Sequence, residues 1–170
     1  MPFELQPHLR GELVELRPLR EEDFDTLFAV ASDPLIWEQH PASDRYKEDV
    51  FRGFFRGAMD SGGAFLVLDA KSGVVIGSTR YCDQRENQIE IGYTFLARSQ
   101  WGGAANGEMK RLMLDHAFQF VERVVFVIGP TNWRSRKAVE KIGAVFVEEI
   151  VGNQGQDRVV YAIDRPTLAL

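Results

Sequence analysis

Along the chain the spacing of apolar residues switches between two and about 3.6, and each switch marks a new element. Glu12 to Arg17 mostly alternates, with Val14 and Leu16 set against Glu15 and Arg17, which predicts a strand closed by Pro18. Arg20-Glu21-Glu22-Asp23 opens a helix through about Ala31. Its acidic first turn suits the positive end of the helix dipole. Phe24, Leu27, Phe28 and Ala31 form its apolar stripe, and Asp33-Pro34 breaks it. Ser43 to Ala58 reads as a second helix, with Val50, Phe54 and Met59 facing inward. Ala64 to Asp69 is a compact apolar strand, Lys71-Ser72-Gly73 a turn, and Val74 to Tyr81 its hairpin partner. Asp83 to Asn87 is turn-like. Gln88 to Leu96 is the next strand, with Ile89, Ile91, Tyr93 and Phe95 expected on one face.

The pattern then changes. Ser99 to Gly107 is rich in glycine and small residues, and a long helix follows to about Val121. Met109, Leu112, Met113, His116, Ala117 and Phe120 recur on it at helical spacing. Val124 to Ile128 is fully apolar, as a buried strand should be. Gly129-Pro130 ends it, and Asn132 to Ile142 forms a short helix with Gly143 as its C-terminal cap. Val145 to Val151 and Arg158 to Ile163 make a final hairpin across the polar turn Gly152 to Asp157. The order is β-α-α-β-β-β-α-β-α-β-β, a β-loop-α-β unit set in an otherwise antiparallel sheet. No repeat or linker divides residues 1–170, so a single domain is expected.

Composition adds limits. At 45% hydrophobic and 26% charged residues, the 170-residue chain is ordinary globular material, long enough to bury a core. Cys82 is the lone cysteine, so no intrachain disulfide forms. No leader and no bilayer-length apolar run is visible, so a cytoplasmic protein without a membrane partner is expected. The net charge of −5 argues against nucleic acid. That charge is uneven: residues 98–137 carry seven basic and three acidic side chains, so the rest of the chain is −9. A basic segment in an acidic protein suggests a site for a small anion, although a solvated charged face has the same signature.

The most informative stretch is Gln100-Trp101-Gly102-Gly103-Ala104-Ala105-Asn106-Gly107-Glu108, between a strand and an amphipathic helix. Small side chains let a ligand approach the backbone, and the free amides of a helix N-terminus attract a pyrophosphate. A flexible connector would look similar. Neither G-x-x-x-x-G-K-[ST] nor G-x-G-x-x-G occurs, which excludes the usual nucleotide loops.

This stretch resembles the acyl-CoA signature of the GNAT superfamily, in its ribosomal-protein N-acetyltransferase (RimJ/RimL-like) branch. Glu90-Ile91-Gly92-Tyr93, Trp101-Gly102-Gly103, Glu108, Asn132-Trp133-Arg134-Ser135-Arg136-Lys137-Ala138 and Lys141-Ile142-Gly143-Ala144 carry the resemblance. So does the opening Leu13-Val14-Glu15-Leu16-Arg17-Pro18-Leu19 with Glu22-Asp23. Ala104 and Asn106 stand where the family usually has small residues or glycine.

The resemblance implies an α+β (three-layer α/β) fold. A mixed, mostly antiparallel sheet of about seven strands is flanked by about four helices, and a splayed strand pair binds acyl-CoA. It implies acetyl-CoA as donor, no metal, and direct transfer to an amine such as a protein N-terminus, amino acid, polyamine or amine-bearing small molecule. Pantetheine would pair with the strand ending Phe95-Leu96-Ala97, where a backbone N–H near Phe95 would stabilise the oxyanion. The pyrophosphate would meet Trp101, Gly102, Gly103, Ala104, Ala105 and Asn106. Asn132 is a good helix N-cap by residue type, and the resemblance adds contact with the pantetheine arm.

Ser135 is the expected general acid and Glu90 the general base; each also reads as an ordinary surface residue. Lys137, with Arg134 and Arg136, would meet the CoA phosphates or form a solvated face. Trp37, Glu38, His40, Tyr46, Phe51 and Phe55 are candidates for the acceptor side. His116 reads as a core histidine. The chain is expected to be a monomer or homodimer, and an acyl-CoA-binding sensor or scaffold without catalysis is the rival reading.

Overall fold

The computed structural model describes residues 1–152 and 155–167. It contains one sheet of eight strands in the order β1-β2-β3-β4-β5-β6-β8-β7. The strands are β1 (Leu9–Arg10), β2 (Val14–Pro18), β3 (Ala64–Asp69), β4 (Val75–Arg85), β5 (Gln88–Leu96), β6 (Arg123–Ile128), β7 (Val145–Val151) and β8 (Asp157–Asp164). The helices are α1 (Phe24–Ala31), α2 (Glu48–Ser61), α3 (Ala105–Ala117) and α4 (Trp133–Lys141). The strand beyond the seven expected is β1, a two-residue rung on β2 with too little alternation to show in sequence. Among the described residues no helix is long and apolar enough to cross a membrane.

Every neighbouring pair is antiparallel except β5–β6, which is parallel because α3 crosses between them. One face of the sheet packs a large core around Met109, Met113, Tyr81 and Phe126, under α3. The other packs Phe51, Phe55, Leu27 and Trp37, under α1 and α2.

Three boundaries differ from the sequence reading. Helix α2 starts at Glu48, because Asp44 to Lys47 is a hydrogen-bonded turn, and runs to Ser61, where Gly62 takes a left-handed conformation. Strand β4 continues to Arg85 through a bulge at Asp83, so only Glu86-Asn87 remain as the turn. Helix α3 begins two residues before Gly107 and stops at Ala117. The turn between β7 and β8 lies partly outside the described residues.

Residues Ile89, Ile91, Tyr93 and Phe95 do not share one face. Ser78 faces Phe95 and Arg80 faces Gly92, so Thr79 alone stands opposite both Tyr93 and Thr94. The extra residue is a bulge, with Tyr93 at φ 53°. Before it, Ile89 and Ile91 point into the α3-side core; after it, Leu96 does so while Phe95 points into the α1–α2 core.

The carboxylate of Glu108, in the first turn of α3, receives the backbone N–H groups of Glu12, Leu13 and Val14, each at 2.8 Å. The approach is close: a Cβ on Gly11 would lie 2.4 Å from the Glu108 carboxyl carbon. The helix is thereby joined to the start of β2.

Candidate active site

Strands β5 and β6 pair only at Gln88–Arg123, Ile89–Val124 and Glu90–Val125. Beyond Glu90 they part, and the unpaired edges border a cleft of about 1570 Å³. Unpaired backbone groups are costly unless something meets them, so an open parallel edge is a ready place for an extended ligand.

Alternation along β5 decides which amides face the opening. The Ala97 N–H donates to Ile76 O at 2.8 Å, on the β4 side. A strand reverses direction at each residue, so the Leu96 N–H is turned to the open side and the Phe95 N–H back to β4. Of the amides near Phe95, the Leu96 N–H is the one that faces the opening. Ala97 itself lies outside the cleft lining.

The glycine-rich turn borders the same cleft. Gly102, Gly103, Ala104, Asn106 and Gly107 line it. Gly102 needs its glycine, at φ 74°. Ala105, expected in the phosphate loop, is instead the first residue of α3 and is buried in the core. Trp101 pins the turn, its indole N–H donating to Leu96 O at 3.1 Å. The Arg134 guanidinium lies 3.7 Å over the Trp101 ring and donates to Ile36 O at 2.8 Å.

Arg136 is likewise occupied, by Tyr161 Oη at 3.0 Å and Pro130 O at 2.8 Å. Of the three basic residues expected at the phosphates, Lys137 alone lines the cleft without a side-chain hydrogen bond among the described residues.

Asn132 is 3% exposed and caps α4, its Oδ1 accepting the Ser135 N–H at 3.4 Å. Both Asn132 and Ser135 line the cleft. Glu90 stands on the last paired rung, where the strands part. Burial pushes its carboxyl pKa up, against a hydrogen bond from the Cys82 thiol at 3.3 Å. Burial in turn pushes the Cys82 thiol up, making it a poor nucleophile.

Of the acceptor-side candidates, Trp37 and His40 line the cleft, whereas Phe51 and Phe55 are buried core residues and Glu38 and Tyr46 lie elsewhere. His116 is a core histidine whose Nε2 pairs with Glu4 O at 2.7 Å.

Four further residues were missed. Arg80 sits mid-strand in β4, and Arg45, Arg158 and Lys110 also line the cleft. Lys110 donates to Thr94 Oγ1 at 2.7 Å, and burial pushes its pKa down to about 7. A signal existed for two of them. Lys110 falls at helical spacing with Met113, Leu114 and Ala117, and Arg80 interrupts an apolar strand.

A mixed sheet opened between two parallel strands, with a glycine-rich turn and a helix N-terminus at the opening, defines an acyltransferase fold. The chain belongs to the GNAT acetyltransferase family: residues 14–145 match the family described as "Acetyltransferase (GNAT) domain". Among solved structures it is similar to a GNAT-family acetyltransferase from Bacillus anthracis (TM-score 0.77, 20% identity, covering 93% of this chain and 98% of that one). RimJ from Mycobacterium smegmatis in complex with CoA-disulfide superposes with TM-score 0.70 at 19% identity, over 93% and 86% of the two chains. Spermidine N-acetyltransferase from Vibrio cholerae, in complex with CoA and spermine, does so with 0.65 at 18%, over 91% and 96%. No curated protein matched the sequence.

Proposed function

We propose that this protein acts as a single unit that moves an acetyl group from acetyl-CoA directly to a primary amine. The observation that carries the reading is the parting of β5 and β6 at Glu90–Val125 in front of the turn at Gly102–Gly103. The pantetheine arm would lie along the open edge of β5, with its pyrophosphate at the start of α3. Two of the neighbours described above were solved with CoA or a CoA derivative, which supports the same donor here. The RimJ/RimL-like branch and a cytoplasmic setting belong to the same proposal.

An ammonium must lose a proton before it can attack, because its nitrogen otherwise has no lone pair. Glu90 is the base: its raised pKa brings it nearer to that of the proton it takes. The nitrogen then bonds to the thioester carbonyl carbon, the C–S bond breaks, the departing thiolate takes a proton from Ser135, and the second proton shed by the nitrogen as it becomes the amide restores the Ser135 hydroxyl. The Leu96 N–H, on the open side of β5, stabilises charge on the carbonyl oxygen.

Calorimetric titration with acetyl-CoA, repeated with Asn132→Ala, tests the donor site. Saturable binding that weakens in the variant is expected. A folded protein that does not bind millimolar acetyl-CoA would refute the reading. Binding without thiol release across a broad amine panel would leave only the sensor role.

A further inference from the structure

The cleft has two chemically different ends. One, at the turn and α3, fits the phosphates of the donor. The other lies on the α1–α2 face of β4 and β5, and three arginines meet there. Arg80 is 6% exposed, with its guanidinium 3.8 Å over the Tyr93 ring and 5.3 Å from that of Phe54. Arg45 lies 4.8 Å over Phe54 and approaches His40 Nε2 at 3.4 Å. Arg158 borders the same end from β8.

Eight arginines among the described residues are ion-paired with acids, Arg17–Asp23, Arg98–Asp33 and Arg123–Asp164 among them. Arg45, Arg80 and Arg158 have no such ion pair among the described residues. Two acids line the cleft: Asp83, an exposed residue on the β4 bulge, and Glu90, whose charge is disfavoured by burial. The aromatic faces hold the guanidiniums in place without neutralising them.

His40 lines the same end of the cleft. Its pKa is pushed down to about 3, first by burial and then by Arg45, Arg158 and Arg134, so it stays neutral. Guanidiniums without acidic partners make this end of the cleft a poor host for a polycation. A planar guanidinium with unused donors suits a carboxylate.

The spacing defines the ligand further. Cys82 faces Glu90 across the β4–β5 ladder, and Arg80 is two residues from Cys82 on the same strand. Arg80 and Glu90 thus share a face, offset by two residues or about 7 Å. An amine presented to Glu90 would place a carboxylate a few bonds away beside Arg80.

We infer that the acceptor is a small primary amine that also bears a carboxylate, held by Arg80 and Arg45 with its amine toward Glu90. This rests on the acetyltransferase reading and narrows its substrate class. It sets this chain apart from an enzyme whose acceptor is a polyamine.

The test is a paired panel of glycine, β-alanine, aspartate and phenylalanine, each as free acid and methyl ester, with spermidine added. Thiol release from acetyl-CoA and calorimetric binding to CoA-saturated protein are both read. At least one acid should be preferred over its ester by about tenfold or more, the scale of a charge-assisted pair. Spermidine should be the poorer acceptor.

Arg80→Met, which keeps the apolar stem against Tyr93, should abolish the preference and leave acetyl-CoA affinity within about twofold. Arg45→Gln, at a half-buried position, carries the same expectation should Arg80→Met fold poorly. Esters or spermidine used as well as the acids would overturn the inference. So would absent binding of every acid, or arginine variants that weaken acetyl-CoA binding while leaving acid preference intact. Failure of acetyl-CoA itself to bind overturns the acetyltransferase reading instead.

Discussion

Lys110 gives the protein a pH dependence that can be measured without knowing the acceptor. The side chain is 5% exposed, donates to Thr94 Oγ1 at 2.7 Å and lies 5.6 Å from the centre of the Phe126 ring. Burial alone pushes its pKa from 10.5 down to about 7. Between those values the unfolded chain holds a proton at this site that the folded chain has released, so stability rises with pH. Below about pH 7 the penalty is fully present, and toward pH 10.5 it vanishes.

At about 1.4 kcal/mol per pKa unit the penalty is on the order of 4 kcal/mol at pH 7 and under about 1 kcal/mol at pH 10. Lys110→Met removes the titrating group and keeps the packed stem. It forfeits one hydrogen bond, worth about 1 kcal/mol, while Thr94 Oγ1 keeps Thr79 Oγ1 at 2.8 Å. The variant should therefore be more stable than the parent at pH 7, by roughly 2–4 kcal/mol, with the gain gone by pH 10. Urea denaturation of both proteins at pH 7, 8.5 and 10 reads the difference directly, and other titrating groups cancel in it. A difference that is flat with pH, or that grows, would refute the assignment of a neutral buried lysine.

Two other expectations concern single carboxylates. Glu90→Gln should lower kcat/KM by about 10²- to 10⁴-fold and abolish a rising limb centred above the ordinary carboxylate range, with acetyl-CoA affinity kept; an unchanged pH–rate profile would remove Glu90 as the base. Glu108→Gln turns an acceptor of three N–H groups into one that presents its own NH₂ to them, and should cost about 2–4 kcal/mol in thermal or urea unfolding; a loss under about 0.5 kcal/mol would show those bonds are replaced by water.

Much of the architecture was legible because local pattern and global fold agree. The apolar run Val124 to Ile128, the stripe of α3 and the small residues at Gly102–Gly103 each point to one element, and each element forms. The two-residue strand β1 and the bulges at Asp83 and Tyr93 were not legible. Such features depend on which backbone lies opposite, and no local period encodes that.

The candidate site divides in the same way. Asn132, Ser135 and the glycine turn could be proposed from sequence because residue type and position coincide with a motif, and they line the cleft. Arg45 and Arg80 belong to no motif. They come together from a loop and a strand only when the sheet folds, and counting charges along the segment after Arg98 could not place them. That Arg136 lies outside the cleft lining was hidden for the same reason, since its partners Tyr161 and Pro130 are brought to it by β8 and the loop before α4.

The bulge at Tyr93 bears on what changes of length the strand can tolerate. A substitution there alters one side chain, and deletion of that residue would keep Arg80–Gly92 and Ser78–Phe95 in register, but one more residue inserted before Phe95 would exchange the faces of Phe95 and Leu96 relative to Ile89 and Ile91. An aromatic ring would enter one core, an aliphatic chain the other, and the Leu96 amide would turn from the ligand to β4. One added residue would act as a frameshift in space, disturbing two cores and the substrate edge at once. Insertions in relatives should therefore fall in the loops and spare these few positions.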